Sequence, residues 1–193
     1  MTKILLFVLV SAMLASAAGL DTVRVRFADG KLAEIYTVGK GSQVKEGKSV
    51  SYHPNGKVGV EAKYKNGKLD GDFKSFYQNG TPWQAVQYKD GVENGMSVAY
   101  FESGKKQLEE FYKNGDLEGT SKEWDSTGTL RREFEYKNGE LNGVARIYDE
   151  EGVLTEDMEF VNGTRQGKYH QYKKGLMTMD AEFDHNRCIK GCP

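Results

Sequence analysis

Glycine returns every 24 residues in this chain, at 47, 71, 95, 119, 143 and 167, and a period of that length narrows the fold to an array of like units stacked side by side. A second glycine series occupies 56, 80, 104, 128 and 152 and arrives one residue early at 175. A third occupies 67, 91, 115, 139 and 163, with Asn186 in the corresponding place of the last copy. The three series hold 17 of the 23 glycines, so the glycine excess marks turns and not a low-complexity tail.

Aromatic residues keep the same period. Tyr52, Phe76, Tyr100, Trp124, Tyr148 and Tyr172 fill one position of the unit, and Tyr64, Tyr88, Tyr112, Tyr136, Phe160 and Phe183 fill another. Within a unit, Val58, Val60, Ala62 and Tyr64 alternate with Lys57, Gly59, Glu61 and Lys63, a period of two that places one set on each face of a strand. Each unit therefore reads as a β-hairpin plus a connecting turn. Pro54-Asn55-Gly56 fits a three-residue loop with glycine in the left-handed place, which sets Tyr52 opposite Val58 and brings it to the apolar face. The last copy is one residue shorter, and a two-residue Lys174-Gly175 loop sets Tyr172 opposite Met177. Phe27, Asp29-Gly30 and Val38-Gly39-Lys40-Gly41 resemble a degenerate copy ahead of the first full one, as expected where an array caps its open end.

The expected architecture is all-β: an elongated antiparallel meander of six 24-residue hairpin units, with about 12 to 14 short strands stacked at ~4.8 Å. Leu, Ile, Val and Phe number 41, eight of them within the first 14 residues, so aromatic cross-strand pairs are expected to replace a thick aliphatic core. Residues 1–17 read as a signal peptide: Lys3, an apolar run from Ile4 to Leu14, and a small-x-small site with cleavage between Ala17 and Ala18. The remaining divisions are a degenerate cap over 18–46, the array over 47–186 and a tail over 187–193. An exported location follows.

The units Tyr64-Lys65-Asn66-Gly67-Lys68-Leu69-Asp70-Gly71, Tyr112-Lys113-Asn114-Gly115-Asp116-Leu117-Glu118-Gly119 and Tyr136-Lys137-Asn138-Gly139-Glu140-Leu141-Asn142-Gly143 resemble the MORN-repeat variant. Chains of this kind are similar to the YwqK antitoxin family. That resemblance implies an extended β-sheet scaffold and a role in neutralising a partner toxin.

The net charge of -1 removes the electrostatic footprint of a nucleic-acid binder. Phosphate-loop, nucleophile-elbow and His-Glu-x-x-His motifs do not occur, and no cofactor or enzymatic activity is expected. Glu61, Glu109, Glu133 and Asp157 share one position of the unit, with Asp180 one residue early, on the face expected to lie opposite the aromatic ladder. They read either as an acidic stripe that steers a basic partner or as a solvated face balanced by Lys63 and Arg131. Trp83 and Phe111 interrupt that face, either as anchors for a partner protein or as packing against the connecting turns. Cys188 and Cys192 fit one local disulfide, with a metal site that adds His185 as the competing reading. A transmembrane barrel fits poorly, because strands this short carry Glu110, Arg132 and Glu156 on the apolar side. The expected function is an exported, non-enzymatic scaffold that binds a protein partner. The alternative is an envelope module in contact with membrane or cell-wall polymer.

Overall fold

The computed structural model describes residues 11–13 and 19–193. The signal-peptide reading of 1–17 and the Ala17–Ala18 cleavage site fall outside them, apart from the short strand Ser11–Met13. The chain divides into two compact units, Met1–Val92 and Glu93–Pro193. The 24-residue period does not announce that division.

The first unit contains β1 (Ser11–Met13), β2 (Leu20–Arg26), β3 (Leu32–Gly39), β4 (Lys45–Tyr52), β5 (Val58–Lys65), β6 (Lys68–Phe76) and β7 (Pro82–Lys89). Each strand pairs antiparallel with the next. The second unit contains β8 (Val92–Tyr100) except its first residue, β9 (Lys106–Lys113), β10 (Asp116–Leu117), β11 (Gly119–Trp124), β12 (Leu130–Lys137), β13 (Glu140–Tyr148), β14 (Leu154–Val161), β15 (Thr164–Lys173), β16 (Leu176–Asp184) and β17 (Arg187–Lys190). It too is an antiparallel meander. The seventeen described strands exceed the expected number because one strand breaks into β10 and β11 and because the two ends add β1 and β17. At the break, the Glu118 amide turns to the Phe111 carbonyl at 2.8 Å.

Two kinds of turn alternate. Asn66-Gly67 has φ of 50° and 78°, the doubly left-handed geometry of a type I′ hairpin, and Asn114-Gly115, Asn138-Gly139 and Asn162-Gly163 repeat it. At the other end of the strands His53 donates its amide to Lys57 and Gly56 donates to His53, both at 2.8 Å, which closes the three-residue loop expected at Pro54-Asn55-Gly56. Phe27 and Gly30 make the same pair of bonds, at 2.8 and 2.9 Å, so the degenerate N-terminal copy is a true hairpin. Lys174 and Gly175 form the two-residue loop of the last copy, and Tyr172 faces Met177 as expected.

The turns bind one another. The Gly67 amide reaches the Lys45 carbonyl at 2.9 Å and the Gly91 amide the Leu69 carbonyl at 2.8 Å. In the second unit Gly115, Gly139, Gly163 and Asn186 bond in the same way to Glu93, Leu117, Leu141 and Arg165. Side chains add a second tie: Glu46 accepts the Asn66 amide at 2.7 Å, and Glu118 the Asn138 amide at 3.0 Å. Backbone donors that a surface turn would otherwise leave to water are therefore satisfied by the preceding copy.

One face of each meander is packed. In the first unit the register places Ser49, Ala62, Phe73 and Val86 side by side, with Ala62 and Val86 each only 3% exposed. In the second, Phe134, Ala145, Met158, Tyr169 and Ala181 form the corresponding row, with Phe160, Met179 and Phe183 against it. Small residues between large ones are covered from both sides, so burial is reached without a second layer. Tyr88 meets Phe73 edge to face at 5.9 Å and Phe183 meets Tyr169 at 5.8 Å, pairs worth about 0.5–1.5 kcal/mol beyond their area.

The Tyr52 series corrects the expected face. Tyr52 does pair with Val58, but Ser51 pairs with Val60, leaving Gly59 as an extra residue on β5. The same bulge recurs at Trp83, Gln107, Arg131, Thr155 and Thr178. A bulge breaks the alternation on its own strand. Tyr52, next to Ser51 on the unbulged strand, therefore projects to the face of Glu61 and away from Ala62.

The 143 position shows why glycine is needed inside a strand. Its φ is 125°, and a Cβ there would lie 2.9 Å from the Cβ of Glu135, whose carboxylate accepts the Val144 amide at 3.2 Å. Gly163 is also left-handed, at 73°, but has open space around it. Gly163→Ala is expected to lower stability by ~1 kcal/mol and Gly143→Ala by about 2 kcal/mol or more, read from urea unfolding of the two variants.

Candidate functional site

The charged face is built from the strand positions that alternate with the packed row. In the second unit the register lines up Glu109, Lys122, Glu133, Arg146, Asp157, His170 and Asp180 across seven strands. Acid and base alternate along the whole row. Lys122 lies 3.4 Å from Glu133, Arg146 lies 3.8 Å from the same carboxylate, and His170 Nδ1 lies 2.7 Å from Asp157. Glu109 pairs with Lys106 at 2.5 Å. In the first unit Glu61 faces Lys74 and lies 3.8 Å from Lys48.

The carboxylates are thus a charge-alternating ladder and not an acidic stripe. The balancing cations are cross-strand partners, whereas Lys63 pairs with Asp72 and Arg131 with Asp125. Exposed pairs of this kind contribute little to stability, and opposite charges in register chiefly disfavour a slipped pairing.

The displaced aromatic series stands over this ladder. Tyr172 donates to Asp157 at 2.7 Å and Tyr148 donates to Glu133 at 3.2 Å. The Asp157 carboxylate, followed by burial, raises the Tyr172 pKa above the ordinary tyrosine range, and burial followed by the Glu133 charge raises that of Tyr148. On the packed face Tyr112 donates to Glu110 at 2.9 Å, and burial with that carboxylate pushes the phenol well up. Tyr136 and Tyr169 are raised by burial first and by Glu110 and Glu156 second.

Phe111 lies on the charged face, as expected, and its direct cross-strand neighbour is Met96. The two are 42% and 40% exposed. Lys48 and Lys63, Asp72 and Gln87, Thr120 and Glu135, Val144 and Glu159, and Lys168 and Glu182 occupy the same two positions in other copies, so a pair without any charge stands where each of these has at least one charged residue. Sequence reading missed Met96. Lining up the copies position by position would have found it.

Trp83 does not share the face of Glu61. It sits at a bulge, 51% exposed, with its ring 6.1 Å from that of Tyr77. The two rings border a cleft of about 400 Å³ that also touches Ser51, Val60 and Ser75, residues of the packed-face rows. Trp83 and Glu61 belong to the first unit, and Phe111, Glu109, Glu133 and Asp157 to the second.

Cys188 and Cys192 form a disulfide, with Cα atoms 5.8 Å apart. Cys188 pairs with Phe183 on β16, and Gly191 approaches the Asp180 carbonyl so closely that a Cβ would lie 2.0 Å from it. The bridge folds the tail onto the last full hairpin. It also uses up both thiols, which removes the metal reading with His185. Among the described residues no group of three His, Cys, Asp or Glu side chains converges as a metal site.

Raised phenol pKa values make folding sensitive to alkali. An unfolded chain loses those protons near pH 10 while the folded chain retains them, so stability is complete below that range and falls as pH rises through it. The unfolding midpoint is expected to drop between about pH 10 and 12, and Tyr112→Phe is expected to lessen the drop, as checked by thermal unfolding at fixed ionic strength.

A family model described as the MORN repeat variant matches residues 45–66, 69–90, 93–114, 117–138 and 141–162, more than half of the chain. A comparison with curated proteins finds no match.

Proposed function

This chain belongs to the MORN repeat variant family, and we propose that it is an exported, non-enzymatic scaffold that binds a partner protein through the charged face of its second unit. The observation that carries this reading is the exposed Met96–Phe111 pair at positions where each other full copy holds at least one charged residue. An aromatic ring and a thioether side by side are suited to anchor a protein interface, because they bury large area with few polar groups to desolvate. Lys106, Glu109 and Lys122 supply a charged rim that fixes orientation.

Export is supported by the disulfide, a bond that persists in oxidising compartments. The scaffold reading is supported by the use to which the polar side chains are put. Asp157, His170 and Tyr172, a set that could serve acid–base chemistry, bond to one another as part of the cross-strand row.

The decisive experiment restores the pattern of the last copy. Met96→Lys with Phe111→Glu recreates the Lys168–Glu182 pairing, so the fold is expected to persist. A partner captured by the full chain from its native source, purified and titrated against both proteins, is expected to lose affinity for the double variant by about a hundredfold, the effect of removing two anchors of ~1.4 kcal/mol each. Equal affinity for both proteins contradicts the assignment. Neutralisation of a toxin, as the YwqK resemblance implies, is read from whether the captured protein is toxic and is silenced by the chain. Capture of membrane or wall polymer in place of a protein would move the chain to the envelope-module alternative.

A further inference from the structure

The cleft beside Trp83 lies outside the protein-binding face and has a different chemistry. Two aromatic rings, Trp83 and Tyr77, meet at 47° and make a corner open to solvent. The floor between them is polar and unspent. Ser75 is only 4% exposed, and its hydroxyl, closed to solvent, has no hydrogen-bond partner among the described residues. His53 Nε2 lies 2.8 Å from the Phe76 carbonyl. That carbonyl can only accept, so Nε2 donates, and in the neutral imidazole Nδ1 is left as an acceptor on a residue that lines the cleft. Ser51 adds a second hydroxyl, and among the described residues no Asp, Glu, Lys or Arg lines the cavity.

We propose that this cleft binds a neutral glycan, with one pyranose ring stacked on Trp83 and its hydroxyls bonded to His53 and, once the serine side chain turns outward, to Ser75. The carbon–hydrogen face of a pyranose matches the electron-rich face of an indole, and an exposed indole gains most by being covered. The rim hydroxyls of a sugar both donate and accept, which suits a buried serine hydroxyl with neither role filled; a buried polar group without a partner is costly, and a ligand that supplies one removes that cost. The volume of about 400 Å³ suits one or two sugar rings. A proline-rich peptide would also stack on the two rings, but its prolines have no N–H to donate to His53 and it brings no ring of hydroxyls. The absence of formal charge from the lining disfavours phosphates, carboxylates and ammonium groups.

Other copies of the repeat supply substitutions that the fold already tolerates. Thr155 and Thr178 occupy the bulge position of Trp83, Ala99 the position of Ser75, and Phe76 the position of Trp124. The experiment uses the full chain carrying Trp124→Phe, so that Trp83 is the remaining one of two tryptophans. Its fluorescence is titrated with cellohexaose, maltoheptaose, chitotetraose and a proline-rich decapeptide. A saturable change is expected with at least one oligosaccharide at millimolar concentration or below. Ser75→Ala is expected to weaken that binding by about tenfold without lowering the thermal midpoint, since it removes a buried hydroxyl that has no partner. Trp83→Thr, assayed by calorimetry, is expected to abolish it with an unchanged circular dichroism spectrum. No response to any of the three sugars at about 20 mM overturns the proposal. So does saturation by the peptide alone, or undiminished sugar affinity in Trp83→Thr.

Discussion

The hydrogen bond from each type I′ turn to the turn before it is the interaction on which the rest of this structure depends. Gly67 reaches back to Lys45, Gly91 to Leu69 and Gly139 to Leu117, always from a left-handed glycine to a backbone carbonyl 22 residues earlier. That bond ties successive hairpins at their tips and makes the length of the unit a geometric requirement. A side-chain tie runs beside it, from Glu46 to Asn66 and from Glu118 to Asn138. With tip and register both fixed, a single layer of small and aromatic residues is enough to order the sheet.

The meander and its two kinds of turn were legible in the sequence because glycine and asparagine are nearly compulsory where φ is positive. The loop lengths were legible for the same reason, down to the shortened loop at Lys174-Gly175. The bulge was not. Gly59, Trp83, Gln107, Arg131, Thr155 and Thr178 share a position but no chemistry, since a bulge without positive φ accepts almost any side chain. One unseen residue per copy reversed the face of Tyr52 and its equivalents. It placed these rings above Glu133 and Asp157, where the sequence had suggested either an acidic stripe or a solvated face balanced by Lys63 and Arg131.

Positions that build the array keep nearly the same chemistry from copy to copy, and positions whose chemistry differs between copies are free to carry specificity. The Gly71 and Gly67 series, the Tyr64 series and the tip caps belong to the first kind. Met96, Phe111 and Trp83 belong to the second, and each stands exposed where another copy holds a polar or small residue. Their partners were less legible, because Met96, Tyr77 and His53 gain meaning only from register and from the fold of the turns. The disulfide at Cys188 and Cys192 lies outside this logic. It fixes the tail against the Asp180–Ala181 backbone at the end of the last hairpin.

Amide hydrogen exchange at the turn glycines tests the central claim most directly, because turn-tip donors exposed to water exchange at close to the intrinsic rate of a free peptide. The account predicts that Gly67, Gly91, Gly115, Gly139 and Gly163 exchange as slowly as amides within the strands they join. Exchange of these five amides near the intrinsic rate, while the strand amides remain protected, would show that the tips do not hold the copies together.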